Sequence, residues 1–124
     1  MKKILLVEDD PLLIDVYSTK LKLSGFEVIV VENGGKVLAA AEEQKPDLVL
    51  LDIVLPHIDG WDILESLRSS EKLKDVPIVI LSNLGQKEEI AKGLRLGAAK
   101  YLIKAHYTPS EIVQEIIKLI GNPV

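Results

Sequence analysis

Residues 48–52 of the chain read Leu48-Val49-Leu50-Leu51-Asp52, four aliphatic residues followed directly by a carboxylate. A continuous apolar run of this length is typical of a strand that is covered on both faces, as in parallel sheets. Similar short runs occur at intervals along the chain, at Ile4–Val7, Val28–Val31, Ile78–Leu81 and Tyr101–Ile103. We therefore predict five buried strands of one parallel sheet.

The segments between these runs have apolar residues at helical spacing. Gly25, Pro46 and Gly97 supply stop signals after the first, second and fourth of these segments. The last helix is predicted to begin at Thr108-Pro109-Ser110-Glu111, a capping-box pattern with proline at the first helical position, and Gly121 follows its end. Strand and helix thus alternate five times, and right-handed crossovers place helices on both faces of the sheet.

The composition fits one domain and narrows the class of protein. The chain has 124 residues, 48% of them hydrophobic, and a net charge of −4. With few aromatic residues and no excess of basic ones, the chain lacks the positive electrostatic field, and the aromatic side chains on which bases stack, that are typical of nucleic-acid-binding proteins. It contains no cysteine, and no apolar run approaches the roughly 20 residues of a membrane span. We expect a single cytoplasmic domain over residues 1–124, with no effector domain, no direct nucleic-acid contact and no membrane insertion.

Polar side chains follow the predicted strands at their carboxyl ends. These are Glu8-Asp9-Asp10, Asp52, Ser82-Asn83 and Lys104. Ligands of open α/β sheets bind beyond this edge, so we expect these groups to meet there. Carboxylates about 4–5 Å apart repel by roughly 3–4 kcal/mol at an effective dielectric near 20. Such a cluster favours a bound cation, and hard oxygen ligands with room for water suit Mg²⁺.

An aspartate beside a divalent cation and a lysine can attack phosphorus and form an acyl phosphate. The lysine and the cation would neutralise the transferring oxygens, and a nearby hydroxyl can donate a hydrogen bond to them. The candidate catalytic residues are therefore Asp52, Ser82 and Lys104. Asp10, which precedes Pro11, is better placed to cap the first helix.

Five motifs, taken together, resemble the CheY-like receiver domain of two-component response regulators. They are Ile4–Asp10, Asp47–Asp52, Leu55–Gly60, Ile80–Ser82 and Tyr101–Lys104. The resemblance covers essentially the whole chain, and each motif lies on the expected element. It implies a flavodoxin-like (βα)5 doubly wound sandwich with parallel strand order 2-1-3-4-5.

The resemblance also implies a phosphoryl switch. A histidine kinase or phosphotransfer protein would phosphorylate Asp52, and Tyr101 would change rotamer when the hydroxyl of Ser82 moves toward the phosphoryl group. The face made by the fourth helix, fifth strand and fifth helix would then signal to a protein target. The implied ligands of Mg²⁺ are Glu8, Asp9, Asp52 and the backbone carbonyl of Val54.

The chain departs from the family pattern after its lysine, where Ala105 replaces the usual proline that follows a cis bond. A cis bond before a non-proline residue costs about 3–4 kcal/mol. We therefore expect the Lys104–Ala105 bond to be trans, or cis at that cost. Asn83 and Leu84 occupy positions at which the family varies, and we expect them to tune the lifetime of the phosphoryl group.

Other functions on this fold fit the sequence less well. Aspartyl-phosphate hydrolases carry a second acid two residues after the nucleophile, whereas Ile53 and Val54 follow Asp52. We therefore expect no enzyme activity beyond self-phosphorylation and slow autodephosphorylation. The acids after the first strand would repel a flavin phosphate. A phosphorylation-independent protein-interaction module is the remaining alternative, disfavoured because every acidic, hydroxyl and lysine position is filled.

Overall fold

A computed structural model describes all residues, 1–124. Strands and helices alternate along the chain, with one short hairpin inserted after the third strand. None of the helices combines the length and apolarity needed to cross a membrane. The elements are β1 (Lys3–Val7), α1 (Pro11–Leu23), β2 (Glu27–Val31), α2 (Val37–Gln44), β3 (Leu48–Leu51), β4 (Val54–Leu55), β5 (Ile58–Asp59), α3 (Gly60–Ser69), β6 (Ile78–Ser82), α4 (Lys87–Arg95), β7 (Lys100–Ile103) and α5 (Pro109–Ile120).

The central sheet contains the five predicted strands, all parallel, in the order β2-β1-β3-β6-β7. Counting only these five strands, the order is 2-1-3-4-5, which confirms the flavodoxin-like doubly wound fold. The two further strands, β4 and β5, pair antiparallel with each other and stand apart from the sheet. They are joined by a tight turn in which His57 has a φ of 68°.

Both faces of the sheet are covered, as the continuous apolar runs predict. Because successive residues of a strand point to opposite faces of the sheet, each strand contributes side chains to two separate hydrophobic cores. Leu5 and Leu51 belong to a cluster of 15 buried residues that includes side chains of α2 and α3. Leu6 and Leu50 belong to a cluster of 13 that includes side chains of α1 and α5.

The predicted helix termini are confirmed by their hydrogen bonds. The Asp10 side chain accepts from the backbone N–H groups of Leu12 and Leu13, with Pro11 at the first helical position. At the start of α5, Thr108 and Glu111 form the reciprocal capping box. Asp10 is therefore the cap of α1, which fixes the direction in which the chain leaves β1.

Gly60 begins α3 where its backbone lies against Ile53, the residue after Asp52. A Cβ atom there would lie 2.5 Å from Ile53 Cα and 2.6 Å from its carbonyl carbon. We expect Gly60→Ala to lower the free energy of unfolding by about 2 kcal/mol through overpacking. The matched control is Gly35→Ala, whose Cβ would meet only Asn33 Oδ1 at 3.3 Å. Urea unfolding of both variants checks this prediction. Equal losses of stability would contradict the close contact between Gly60 and Ile53.

Candidate functional site

A cleft of about 440 Å³ opens at the carboxyl edge of the sheet. It is formed where β1, β3, β6 and β7 end and where α1 begins. The structure therefore brings together the acids, Asn83 and Lys104 that the sequence predicts to meet at this edge, whereas Ser82 is buried behind the cleft lining. The residues that line the cleft are Glu8, Asp9, Asp10, Leu13, Asp52, Val54, Asn83, Leu84 and Lys104.

Lys104 joins two buried carboxylates at the floor of this cleft. Its Nζ lies 2.8 Å from Asp52 Oδ2 and 2.9 Å from Glu8 Oε1. Asp52 is only 5% exposed and Glu8 only 2% exposed. The ammonium group therefore bridges the ends of β1 and β3, although the three residues are far apart in sequence.

The remaining oxygens of these carboxylates accept hydrogen bonds from the backbone. Glu8 Oε2 accepts from the N–H groups of Asp9 and Asp10, at 3.1 and 3.2 Å. Asp52 Oδ1 accepts from the N–H of Val54 at 3.0 Å. Both carboxylates are thus oriented by the turns that follow their own strands.

The electrostatic balance of the site keeps the lysine charged. Burial raises the pKa of Asp52, against hydrogen bonds from Lys104 and Val54 that lower it, and the charge of Glu8 raises it further. Burial alone would lower the pKa of Lys104, but its hydrogen bonds to Asp52 and Glu8 outweigh burial, and the pKa is raised. The single ammonium group of Lys104 thus faces two carboxyl groups, those of Asp52 and Glu8.

The acidic residues of the cleft fit a divalent cation. One carboxylate oxygen from each of Glu8, Asp9 and Asp52 can be chosen so that all lie within 4.8 Å of one another. Mg²⁺ prefers a few hard oxygen ligands supplemented by water, which an open cleft with several carboxylates can supply. Val54 lines the same cleft. The fourth acid, Asp10, uses its side chain to cap α1.

Ser82 and Tyr101 are connected through the backbone of one residue. Ser82 is fully buried at the end of β6, and its Oγ accepts from the N–H of Leu84 at 3.2 Å. The hydroxyl of Tyr101 donates to the carbonyl of the same Leu84. This bridging role could not be predicted, because a backbone contact does not depend on the identity of the side chain.

The loop after Lys104 settles the alternative left open by Ala105. No peptide bond in the structure is cis, so the Lys104–Ala105 bond is trans. Lys104 begins a short 3₁₀ turn that ends at His106. Its ammonium group nevertheless reaches both carboxylates. The absence of proline therefore leaves the lysine within the cluster.

Comparison with known sequences identifies one family. The profile described as "Response regulator receiver domain" matches residues 4–117. The master transcriptional regulator RpaA of Synechocystis is 38% identical over 104 residues, covering 84% of this chain and 43% of RpaA. PhoP of Bacillus subtilis, a regulator of alkaline phosphatase synthesis, is 35% identical, covering 90% of this chain and 45% of PhoP. The chain spans about half the length of the curated relatives it matches.

Solved structures agree with this match. The BeF3-activated N-terminal receiver domain of Klebsiella pneumoniae RstA is 32% identical, with a TM-score of 0.85 over 97% of this chain and 98% of that one. The receiver domain of the Pseudomonas aeruginosa histidine kinase PA1611, solved with magnesium in its active-site cleft, is 30% identical, with a TM-score of 0.87 over 98% of both chains. The chain belongs to the response regulator receiver domain family.

Proposed function

We propose that this domain is a Mg²⁺-dependent phosphorylation switch that accepts a phosphoryl group from a histidine kinase, or from a phosphotransfer protein, on Asp52. The observation that carries the proposal is the environment of this carboxylate. One oxygen is held by Lys104 Nζ at 2.8 Å and the other by the Val54 N–H at 3.0 Å. Asp52 is thereby fixed at the floor of an open cleft, beside two further acids.

In the proposed reaction a carboxylate oxygen of Asp52 forms a bond to phosphorus. The bond from phosphorus to the donor nitrogen breaks, and the nitrogen keeps the electron pair and takes a proton from solvent. Lys104 offsets negative charge on the phosphoryl oxygens, and its raised pKa keeps it protonated for this task. When bound by Glu8, Asp9, Asp52 and the Val54 carbonyl, Mg²⁺ would neutralise further charge on those oxygens.

The proposed switch begins at Ser82, whose hydroxyl would turn to donate to the phosphoryl group. Leu84 N–H now donates to this hydroxyl, so the turn would disturb the Leu84 backbone and with it the carbonyl that Tyr101 holds. Gly93 of α4 packs against the Tyr101 ring. We define α4, β7 and α5 as the output face, and propose that it signals to a protein partner in the cytoplasm.

Two of the structural relatives support parts of this proposal. The RstA receiver was solved in a BeF3-activated form, and the PA1611 receiver was solved with magnesium in its cleft. The curated relatives include DNA-binding regulators. For this domain we propose signalling through protein contacts, without direct binding of nucleic acid.

Intact-mass spectrometry tests the reaction with acetyl phosphate as a small acyl-phosphate donor. The expected result is the addition of one phosphoryl group in the presence of Mg²⁺ and none in EDTA. An unchanged mass under both conditions would contradict the proposal and favour a phosphorylation-independent interaction module. Hydrogen–deuterium exchange with and without beryllofluoride then tests whether the output face responds.

The cation proposal predicts that Mg²⁺ stabilises the folded domain, because the unfolded chain lacks the assembled site. At ten times its dissociation constant, Mg²⁺ should add about 1.4 kcal/mol, or about 5 °C in melting temperature. Asp9→Asn should reduce this response. Asp10→Asn should preserve it, since asparagine caps helices as well as aspartate. A melting temperature that does not change with Mg²⁺ would rule out the site.

A further inference from the structure

Helix α4 buries little of its surface against the rest of the protein. Of its nine residues only Gly93 is buried, whereas α3 buries four of its ten residues. A Cβ atom at Gly93 would lie 2.7 Å from Ile80 Cδ1 and 2.9 Å from Tyr101 Cδ2. The helix backbone therefore rests directly on the ring of Tyr101. With so little buried surface, any additional contact to α4 has a large influence on its position.

The residue before Gly93 supplies such a contact. The ammonium group of Lys92 lies 4.7 Å from the centroid of the Trp61 ring, within the range of a cation–π interaction. Trp61 lies in the first turn of α3 and packs against the core cluster shared with α2. The interaction therefore ties α4 to the beginning of α3.

Trp61 is linked in turn to Asp52 through the β4–β5 hairpin. The backbone N–H of Trp61 donates to Asp59 Oδ1 at 2.9 Å. Asp59 pairs with Val54 across the hairpin, and the Val54 N–H donates to Asp52 Oδ1 at 3.0 Å. Apart from Asp52 and α4 themselves, this series of contacts shares no residue with the one through Ser82, Leu84 and Tyr101.

We infer that the Lys92–Trp61 contact is a second connection between Asp52 and α4, parallel to the one through Ser82 and Tyr101. This inference rests on the proposed phosphorylation of Asp52. Phosphorylation turns an ionised carboxylate into an acyl phosphate, whose remaining oxygen is a neutral carbonyl and a weaker acceptor. The hydrogen bond from Val54 weakens, the hairpin shifts, and Trp61 moves relative to Lys92. Trp61 and Lys92 are thus positioning residues for α4.

The single tryptophan of the chain makes this contact measurable. Acrylamide quenching of Trp61 fluorescence is followed before and after treatment with acetyl phosphate and Mg²⁺, with Mg²⁺ alone and Asp52→Asn as controls. We expect phosphorylation to change the quenching of the unaltered protein. In the unphosphorylated protein, Lys92→Met removes the cation from the Trp61 ring. The ratio of molecules in which side chains 61 and 92 are apart to molecules in which they are in contact should rise about two- to fivefold. Phosphorylation should then produce little further change.

Three variants separate this connection from a general structural effect. Lys92→Arg keeps a cation over the ring and should restore the phosphorylation-dependent change. Lys87→Met removes an exposed charge from the same helix and should behave as the unaltered protein. Tyr101→Phe removes the hydroxyl of the other connection and should retain the change at Trp61.

The inference would be overturned if Lys92→Met responded as the unaltered protein does, or if Tyr101→Phe abolished the change at Trp61. The intact mass of each sample is measured in parallel. A phosphoryl mass without any change in quenching would overturn this inference alone. Absence of the phosphoryl mass would overturn the proposed function and this inference with it.

Discussion

Asp52→Asn is expected to abolish phosphoryl uptake from acetyl phosphate in the presence of Mg²⁺. The amide has nearly the same size and can still accept from the Val54 N–H, but it is not a nucleophile that forms an acyl phosphate. Lys104 keeps its second partner, Glu8, at 2.9 Å. Intact-mass spectrometry measures the loss, and Asp10→Asn is the control that should retain full uptake.

The same substitution should change how stability depends on pH. Burial raises the pKa of Asp52 in the folded state, so ionisation of this carboxyl group opposes folding at every pH above the unfolded pKa. Asparagine carries no such charge, although its amide NH2 would face the Lys104 ammonium group, which donates to Asp52 Oδ2 at 2.8 Å. We therefore expect the stability of Asp52→Asn, relative to the unaltered protein, to be greatest near pH 7 and to fall as the pH falls and Asp52 is protonated in both states. A relative stability that stays constant with pH, or that rises as the pH falls, would contradict the raised pKa.

Lys104→Met is expected to cause the largest loss of stability at the site. It would leave Glu8 and Asp52, which are 2% and 5% exposed, without their shared cation. Removing one partner of a buried ion pair costs about 3–5 kcal/mol. Because the cleft opens to water, we expect a loss near the lower end, about 3 kcal/mol in EDTA. Mg²⁺ should restore part of it, since it supplies positive charge to the same carboxylates.

The matched control for this variant is Lys100→Met, on the preceding strand. Lys100 Nζ lies 2.9 Å from Glu115 Oε1, but its side chain is 29% exposed. Glu115 also keeps a second partner, Lys118, at 2.9 Å. Because Lys100 is partly exposed and Glu115 keeps a cation, Lys100→Met should cost less than about 1 kcal/mol. Urea unfolding with and without Mg²⁺ measures the free energy of unfolding of both variants. Equal losses of stability would contradict the larger contribution expected of Lys104.

Features that depend on local chemistry could be predicted from the sequence. Buried parallel strands leave continuous apolar runs, and helix caps depend on particular side chains, as at Asp10 and Thr108. The meeting of Asp52 with Lys104 follows from topology, because the carboxyl ends of parallel strands share one edge. Each of these predictions is confirmed by the structure.

Other features had no sequence signal that could predict them. The β4–β5 hairpin has strands of two residues, too short for a periodic pattern. In the connection between Ser82 and Tyr101, Leu84 contributes only its backbone N–H and carbonyl groups. The contact of Trp61 with Lys92 depends on how α3 and α4 are placed on the sheet, which the sequence does not specify. These are the features through which the proposed switch would reach α4.

Hydroxylamine trapping would identify the phosphorylated side chain, because hydroxylamine converts an acyl phosphate into a hydroxamate at that side chain. The protein is treated with acetyl phosphate and Mg²⁺, trapped, digested and sequenced by tandem mass spectrometry. We expect a hydroxamate at Asp52 that requires both the phosphodonor and Mg²⁺. A phosphoryl group that resists hydroxylamine, or a hydroxamate at Asp9 or Asp10 with Asp52 unmodified, would contradict this expectation.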